Sequence, residues 1–344
     1  MAKTFLSLTS RNLNWMYKPF LLAPAGKDYL WGGNHLKTDY HKTLPLSPLA
    51  ETWECSTHPD GPSLVAQGEF AGISLDTLLK AHPEYLGSHP RQTIPDKEGL
   101  PVLVKLIDAR EKLSVQVHPD DDYAALYENN SLGKTEMWYV LDAKPGAGLI
   151  YGFTHDMSEK KIRECLEKKQ LEKYLQHIPV YKNDVFFIEP GTVHAIGAGI
   201  VLAEIQESSN LTYRLYDYDR LDKTGQPRPL QIEKALAVLN KKSSAQPRQP
   251  IRVLRYHPGC AQELLGRCKY FQVERLLINT GVHQAVEVTT SALSFHILLC
   301  TEGTGVLTTP TDRLTFRKGD CLFIPACSVL CKLTGKAQLL QIQC

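Results

Sequence analysis

No apolar run in the 344 residues approaches the roughly 20 that a helix needs to cross a bilayer. The amino-terminal stretch MAKTFLSLTSRNLNWMYKPF has neither a sustained apolar core nor a small-residue cleavage site, so no secretory leader is expected in it. Charge of one sign is also missing: 39 Lys+Arg stand against 37 Asp+Glu, a formal net charge of +2. That balance leaves no broad electrostatic footprint for nucleic acid or an anionic membrane, so any anionic ligand must be held by a local basic cluster. The nine cysteines are odd in number and irregularly scattered, and none forms a C-x-x-C pair. A disulfide scaffold or a thiolate zinc site does not fit that pattern, whereas reduced thiols in the cytoplasm do. With 43% hydrophobic and 22% charged residues the chain has ordinary globular composition, and its length predicts about two domains.

What is present is mostly β pattern. Short apolar and β-branched runs bounded by Gly, Pro, Asp and Asn predict strands at Val102–Ile107, Leu113–His118, Thr135–Asp142, Gly148–Phe153, Val185–Ile188, Ile200–Gln206 and Leu211–Tyr218. Helical signals are fewer. Asp156–His177 carries Ile162, Leu166, Leu171 and Leu175 among many charges, and Ser74–Tyr85 is a shorter candidate. Closely spaced strands point to a barrel or sandwich. The polar, Pro-containing stretch at Asn240–Pro250 reads as a linker, beyond which strands resume at Ser294–Cys300, Gly305–Thr308 and Cys321–Pro325.

A weak internal repeat joins the two halves. Asn183-Asp184-Val-Phe-Phe-Ile188-Glu-Pro190 resembles Gly319-Asp320-Cys-Leu-Phe-Ile324-Pro325. The first copy runs on to His194, while no His occurs from Gly319 to Cys344. That asymmetry directs attention to the first half.

There the stretch Ser114-Val-Gln116-Val-His118 alternates, so Ser114, Gln116 and His118 share one face of a strand. Lys134, Glu136 and Trp138 share a face of the next, and a Pro-Gly turn sets His194 just beyond a third. Gln116, His118, Glu136 and His194 together offer two imidazole nitrogens and two oxygens, a set that suits a borderline divalent ion such as Zn²⁺. No two of them form a local metal motif, so spacing alone leaves a satisfied core or surface role open for each.

Longer motifs go further. The run Asn183–Gly197 looks like the second cupin motif and Gln116–Glu136 like a stretched first one. Trp31–Gly33, Glu51–Ser63, Leu113–Asp121, Gly133–Ala143, Glu189–Gly199 and Leu211–Arg220 resemble, in order, the type I mannose-6-phosphate isomerases of the short bacterial kind. The resemblance is specific through about residue 220 and much weaker in the C-terminal third. It implies a mainly β protein of two cupin-like (jelly-roll) barrels with small helical insertions. One zinc ion per chain is then held by Gln116, His118, Glu136 and His194, and the family's active-site arginine falls on Arg214. It further implies zinc-dependent aldose–ketose isomerisation of a sugar phosphate through an enediol.

The expected layout is a catalytic barrel at residues 1–240 with helical insertions near 72–99 and 155–178, a linker at 241–250, and a C-terminal barrel at 251–344 without the metal-binding histidine. Ser114, Lys134 and Arg214 are the candidates for gripping phosphate and holding substrate. Glu204 is the candidate base, with Asp217 and Lys134 behind it, and a buried carboxylate paired with Arg214 or Lys134 is its competing role. A monomer or weak homodimer is expected, with no nucleic-acid or membrane partner. Two other classes stay open at this stage: an Fe²⁺ oxygenase on a cupin scaffold, and a sugar-phosphate-binding protein without turnover.

Overall fold

The computed structural model describes residues 17–94, 99–222, 224–245, 247, 252–281 and 284–344. Part of the expected linker, residues 246 and 248–250, lies outside them. The chain is mainly β and divides into two compact units. No helix among the described residues is long and apolar enough to cross a membrane, and none of the nine cysteines forms a disulfide.

The first unit comprises Gly26–Trp53 and Leu103–Ile251. One of its sheets has six strands, in the order Val185–Ile188, Glu136–Ala143, Ile200–Glu207, Val102–Ala109, Glu51–Cys55 and Ala25–Lys27. A second sheet has five, in the order Tyr213–Tyr216, Val115–Val117, His194–Ala195, Gly148–Phe153 and Leu175–Pro179. Ile107, Trp138, Val140, Ile188 and Leu202 of the six-stranded sheet share one buried cluster with Leu149 and Ile178 of the five-stranded sheet, so the two sheets face each other. The far side of the five-stranded sheet, including Val115 and Val117, is covered by apolar residues of the Glu159–Glu167 and Ile232–Val238 helices. That division of faces turns the residues flanking those valines inward, between the sheets.

The barrels are open sandwiches: no sheet among the described residues closes on itself, and each ends in edge strands. The compact units also depart from the contiguous boundaries expected above. Residues 17–25 and Glu54–Val102, with their helices, group with Arg252–Cys344 instead of with the rest of 1–240. The reason is strand pairing. Phe20–Ala23 lies antiparallel to Cys321–Ile324, with Phe20 opposite Phe323 and their rings stacked at 5.3 Å, and Leu64–Val65 adds to its other edge. A ten-stranded sheet results.

The expected helix at Asp156–His177 is only half a helix. Ser158 caps Glu159–Glu167 by accepting the Lys161 N–H, and the chain reverses through Lys169 at φ +53°. A short 3₁₀ turn at Leu171–Tyr174 then leads into a strand, Leu175–Pro179. That strand pairs with Gly148–Phe153 and buries Leu175 and Ile178, and this tertiary pairing outweighs the local helical pattern. Ser74–Tyr85 likewise stops early, as helix Leu75–Ala81, before Pro83 opens a 3₁₀ turn.

The internal repeat is structural. Asp184 accepts the Tyr181 N–H at 2.9 Å and Asp320 accepts the Arg317 N–H at 2.8 Å, so each closes the same turn three residues upstream. Asn183 (φ +72°) and Gly319 (φ +95°) occupy the left-handed position just before. Asn and Gly are the residues that tolerate it.

Candidate metal centre and cavity

Strand register assembles the centre. In the five-stranded sheet Gln116 is flanked by His194 on one side and Arg214 on the other, so all three project from the same face. In the six-stranded sheet Gln206 lies opposite Glu136 and Glu204 opposite Trp138. These two polar rows face each other across the sandwich.

His118, Glu136 and His194 converge, with ligand atoms within 4.8 Å of one another, and all three are buried. His118 Nε2 stands 3.2 Å from Glu136 Oε1, and His194 Nε2 stands 3.8 Å from Glu136 Oε2. The Gln116 amide reaches His194 Nε2 at 3.4 Å, which puts its end group beside the three. His194 Nδ1 donates to the Thr192 carbonyl at 2.8 Å, fixing the tautomer whose Nε2 lone pair points into the cluster. His118 Nδ1 is buried without a hydrogen-bond partner among the described residues. Burial first, and then Lys134, push His118 down to about 3, while burial also lowers His194 against the pull of Glu136. Burial works to raise the Glu136 carboxyl, but Lys134 and then the imidazoles hold it well below the usual range. Neutral imidazoles beside an ionised carboxylate form the protonation state that a divalent ion requires. The donor set of two imidazoles and a carboxylate, with an amide adjacent, therefore fits a metal ion.

Lys134 is buried, with Nζ 2.5 Å from Glu136 Oε1 and 3.4 Å from His118 Nε2. Its charge is thus committed at the cluster. Gly133 before it has no room for a side chain, since a Cβ would stand 2.5 Å from the Asp121 nitrogen. Asp121 accepts the Gly133 N–H and Glu207 accepts the Thr135 N–H, so acids pin the backbone on both sides of Lys134. Burial first and then Asp121 push the Glu207 carboxyl up to about 8. A carboxyl raised on folding keeps its proton longer in the native state, so stability falls as pH rises from about 4.5 to about 8. Glu207→Gln should flatten that fall, which is on the order of a few kcal/mol. Melting temperatures from pH 5 to 9 measure it, and parallel curves for parent and variant would refute it.

A cavity opens above the cluster, lined by Ser114, Gln116, Lys134, Glu204 and Arg214, with Glu51 and Lys105 also in its wall. Sequence reasoning missed the last two. Lys105 Nζ donates to Glu204 Oε1 at 2.9 Å and stands 4.0 Å from Glu51. Burial opposes its charge, yet Glu204 and Glu51 hold the ammonium above its ordinary range. The signal was available: Lys105 is the lone cation in a strand whose eight residues are all buried. Glu204 is paired as the competing role anticipated, but with Lys105 and not with Arg214 or Lys134. Trp138 Nε1 bridges it to the cluster, 3.0 Å from Glu204 Oε2 and 3.1 Å from Glu136 Oε2. Burial, then Glu136, raise the Glu204 carboxyl above the usual range. Ser114 Oγ is 3.4 Å from Gln116 Oε1. The Arg214 guanidinium has a buried Nε without a partner among the described residues. Asp217 is not in the cavity wall, and Arg220 and Arg228 take up its carboxylate.

Residues 20–146 match the family described as phosphomannose isomerase type I, catalytic domain, and residues 262–343 match mannose-6-phosphate isomerase, cupin domain. A mannose-6-phosphate isomerase of Streptococcus mutans is 36% identical, the alignment covering 90% of this chain and 93% of that protein. The chain belongs to the type I mannose-6-phosphate isomerase family.

A mannose-6-phosphate isomerase of Bacillus subtilis is 33% identical over 93% of this chain and 97% of its own length. The crystal structure of mannose 6-phosphate isomerase from Bacillus subtilis superposes with a TM-score of 0.84 at 32% identity, covering 94% of this chain and 99% of that one. Within this mannose-6-phosphate isomerase chain, Gln116, His118, Lys134 and Glu136 fall in the first matched stretch, and His194, Glu204 and Arg214 lie between the two.

Proposed function

We propose that this isomerase interconverts D-mannose 6-phosphate and D-fructose 6-phosphate through an enediol, with one Zn²⁺ held by Gln116, His118, Glu136 and His194. One observation carries the reading: the buried His–Glu–His cluster lies beside a cavity whose wall presents Arg214, its guanidinium Nε buried without a partner among the described residues. The names of the relatives supply the substrate. The bound zinc would supply Lewis-acid stabilisation of the oxyanion that develops on the substrate.

The chain's own residues supply the remainder. Moving a proton between C2 and C1 requires a base at both carbons, and Glu204 is assigned to it. Its carboxylate borders the cavity, and burial, then Glu136, raise its proton affinity above that of an ordinary carboxylate. The Lys105 ammonium and the Trp138 indole each donate to one of its oxygens, which aims the group and limits its motion. Lys134 is assigned to hold and return a proton at the oxygens of C1 and C2, because its ammonium lies at the cluster end of the cavity. Arg214 and Ser114 are assigned to bind and orient the sugar phosphate; a planar guanidinium gives two parallel hydrogen bonds to an anion. The buried walls exclude water from the enediol.

A coupled assay that follows fructose 6-phosphate formed from mannose 6-phosphate tests the reading. Turnover that disappears with a chelator and returns with Zn²⁺ is expected. Tight binding of the sugar phosphate with no product would instead favour a binding protein.

A further inference from the structure

The outer wall of the cavity carries a cation that the mechanism above does not use. Arg228 lines the cavity with Arg214, and with Tyr29 and Trp31 it also lines the adjoining groove. Its Nε donates to Asp217 Oδ2 at 2.7 Å and one Nη donates to Oδ1 at 2.6 Å. This two-point clamp fixes the plane of the guanidinium. The other terminal nitrogen has no partner among the described residues. Arg220 differs: it donates to Asp217 and to the Lys112 carbonyl, so its donors are spent on the protein.

The three guanidiniums are served by a single carboxylate. Asp217 is shared between Arg220 and Arg228 and only its field reaches Arg214, whose guanidinium has a buried Nε without a partner among the described residues. Arg214 and Arg228 are close enough that Arg228 is, after burial, the leading influence lowering the Arg214 pKa. Two like charges held beside each other in a cavity wall are costly unless an anion joins them. Elsewhere in the wall Lys134 and Lys105 are neutralised by Glu136 and Glu204, so the positive surplus of the lining rests on Arg214 and Arg228.

We propose that Arg228, held rigid by Asp217, forms with Arg214 a two-guanidinium grip for the phosphate of the substrate, and that this grip selects phosphorylated over neutral hexoses. Asp217 acts through Arg228 as a positioning residue. The inference rests on the hexose-phosphate reading of the cavity. It adds Arg228 and Asp217 to the residues that carry that reading.

The test uses the full chain loaded with Zn²⁺. Arg228→Ala should raise KM for mannose 6-phosphate, and the inhibition constant of inorganic phosphate, by about ten- to hundredfold while changing kcat by less than about threefold. Asp217→Asn should raise KM by a smaller factor with kcat again nearly constant, because the guanidinium remains but is less fixed. Arg228→Lys should recover little, since an ammonium cannot clamp Asp217 and fork onto an anion together. If Arg228→Ala loses its fold, Arg228→Gln carries the same measurement. KM and phosphate inhibition within about twofold of the parent, in a folded Arg228 variant, would overturn the proposal. Calorimetric titration of inorganic phosphate into parent and variant separates it from the activity. If the parent turns over no mannose 6-phosphate, the functional reading fails; equal phosphate affinity in parent and Arg228→Ala sinks the grip alone.

Discussion

Replacing His194 by alanine should remove the bound metal and lower turnover by ~10³-fold or more. The size follows from how the cluster is built. His194 is fully buried and its Nδ1 is tied to the Thr192 carbonyl, so its Nε2 is left to face Glu136, His118 and the Gln116 amide. Alanine there leaves two ligands and an amide, too few to compete with water for a divalent ion. His118→Ala should behave alike. Metal content by elemental analysis and kcat by the coupled assay are measured on the same samples, with circular dichroism confirming that the sheets persist. Full activity in a metal-free His194→Ala protein would eliminate the proposed role of the cluster.

Glu204→Gln should cut kcat by about 10²- to 10⁴-fold, the usual contribution of a positioned acid–base group, with little change in KM. Gln keeps the shape and its single amide oxygen can still accept from Lys105 or from Trp138, though not from both, and it cannot take a proton from carbon. Exchange of the C2 hydrogen of mannose 6-phosphate with deuterated solvent, followed by NMR, isolates that step. The variant should exchange no faster than background. Undiminished exchange would transfer the role to Lys134, which reaches the cluster from just before the Glu136–Ala143 strand. The substitution also leaves the Lys105 charge opposite a neutral amide, so the variant should melt at a lower temperature than the parent.

Much of this is legible in the order of residues alone. Strand alternation places Ser114, Gln116 and His118 on one face and Glu204 with Gln206 on another; Ser114 Oγ lies 3.4 Å from Gln116 Oε1, Gln116 and His118 both reach the cluster, and Glu204 and Gln206 take alternate register positions. The repeat of Asp184 and Asp320 announces a shared turn, because a turn is made from residues adjacent in the chain. Where the reading fails, the competing interaction is distant. Leu175–Pro179 is a strand because Gly148–Phe153 offers it an edge, and Phe20–Ala23 joins the C-terminal sheet because Phe323 lies opposite Phe20.

The sequence by itself determined the β architecture, the two-part organisation, and the chemical character of the ligand set, since these depend on residue type and a two-residue period. Only the tertiary structure decided which charges meet. Lys105 with Glu204 and Arg228 with Asp217 lie 99 and 11 residues apart, and the indole of Trp138 joins carboxylates from two strands. The physical reason is that a buried ionisable group takes its protonation state from the charges within a few ångströms, and strand register, not sequence spacing, sets those neighbours.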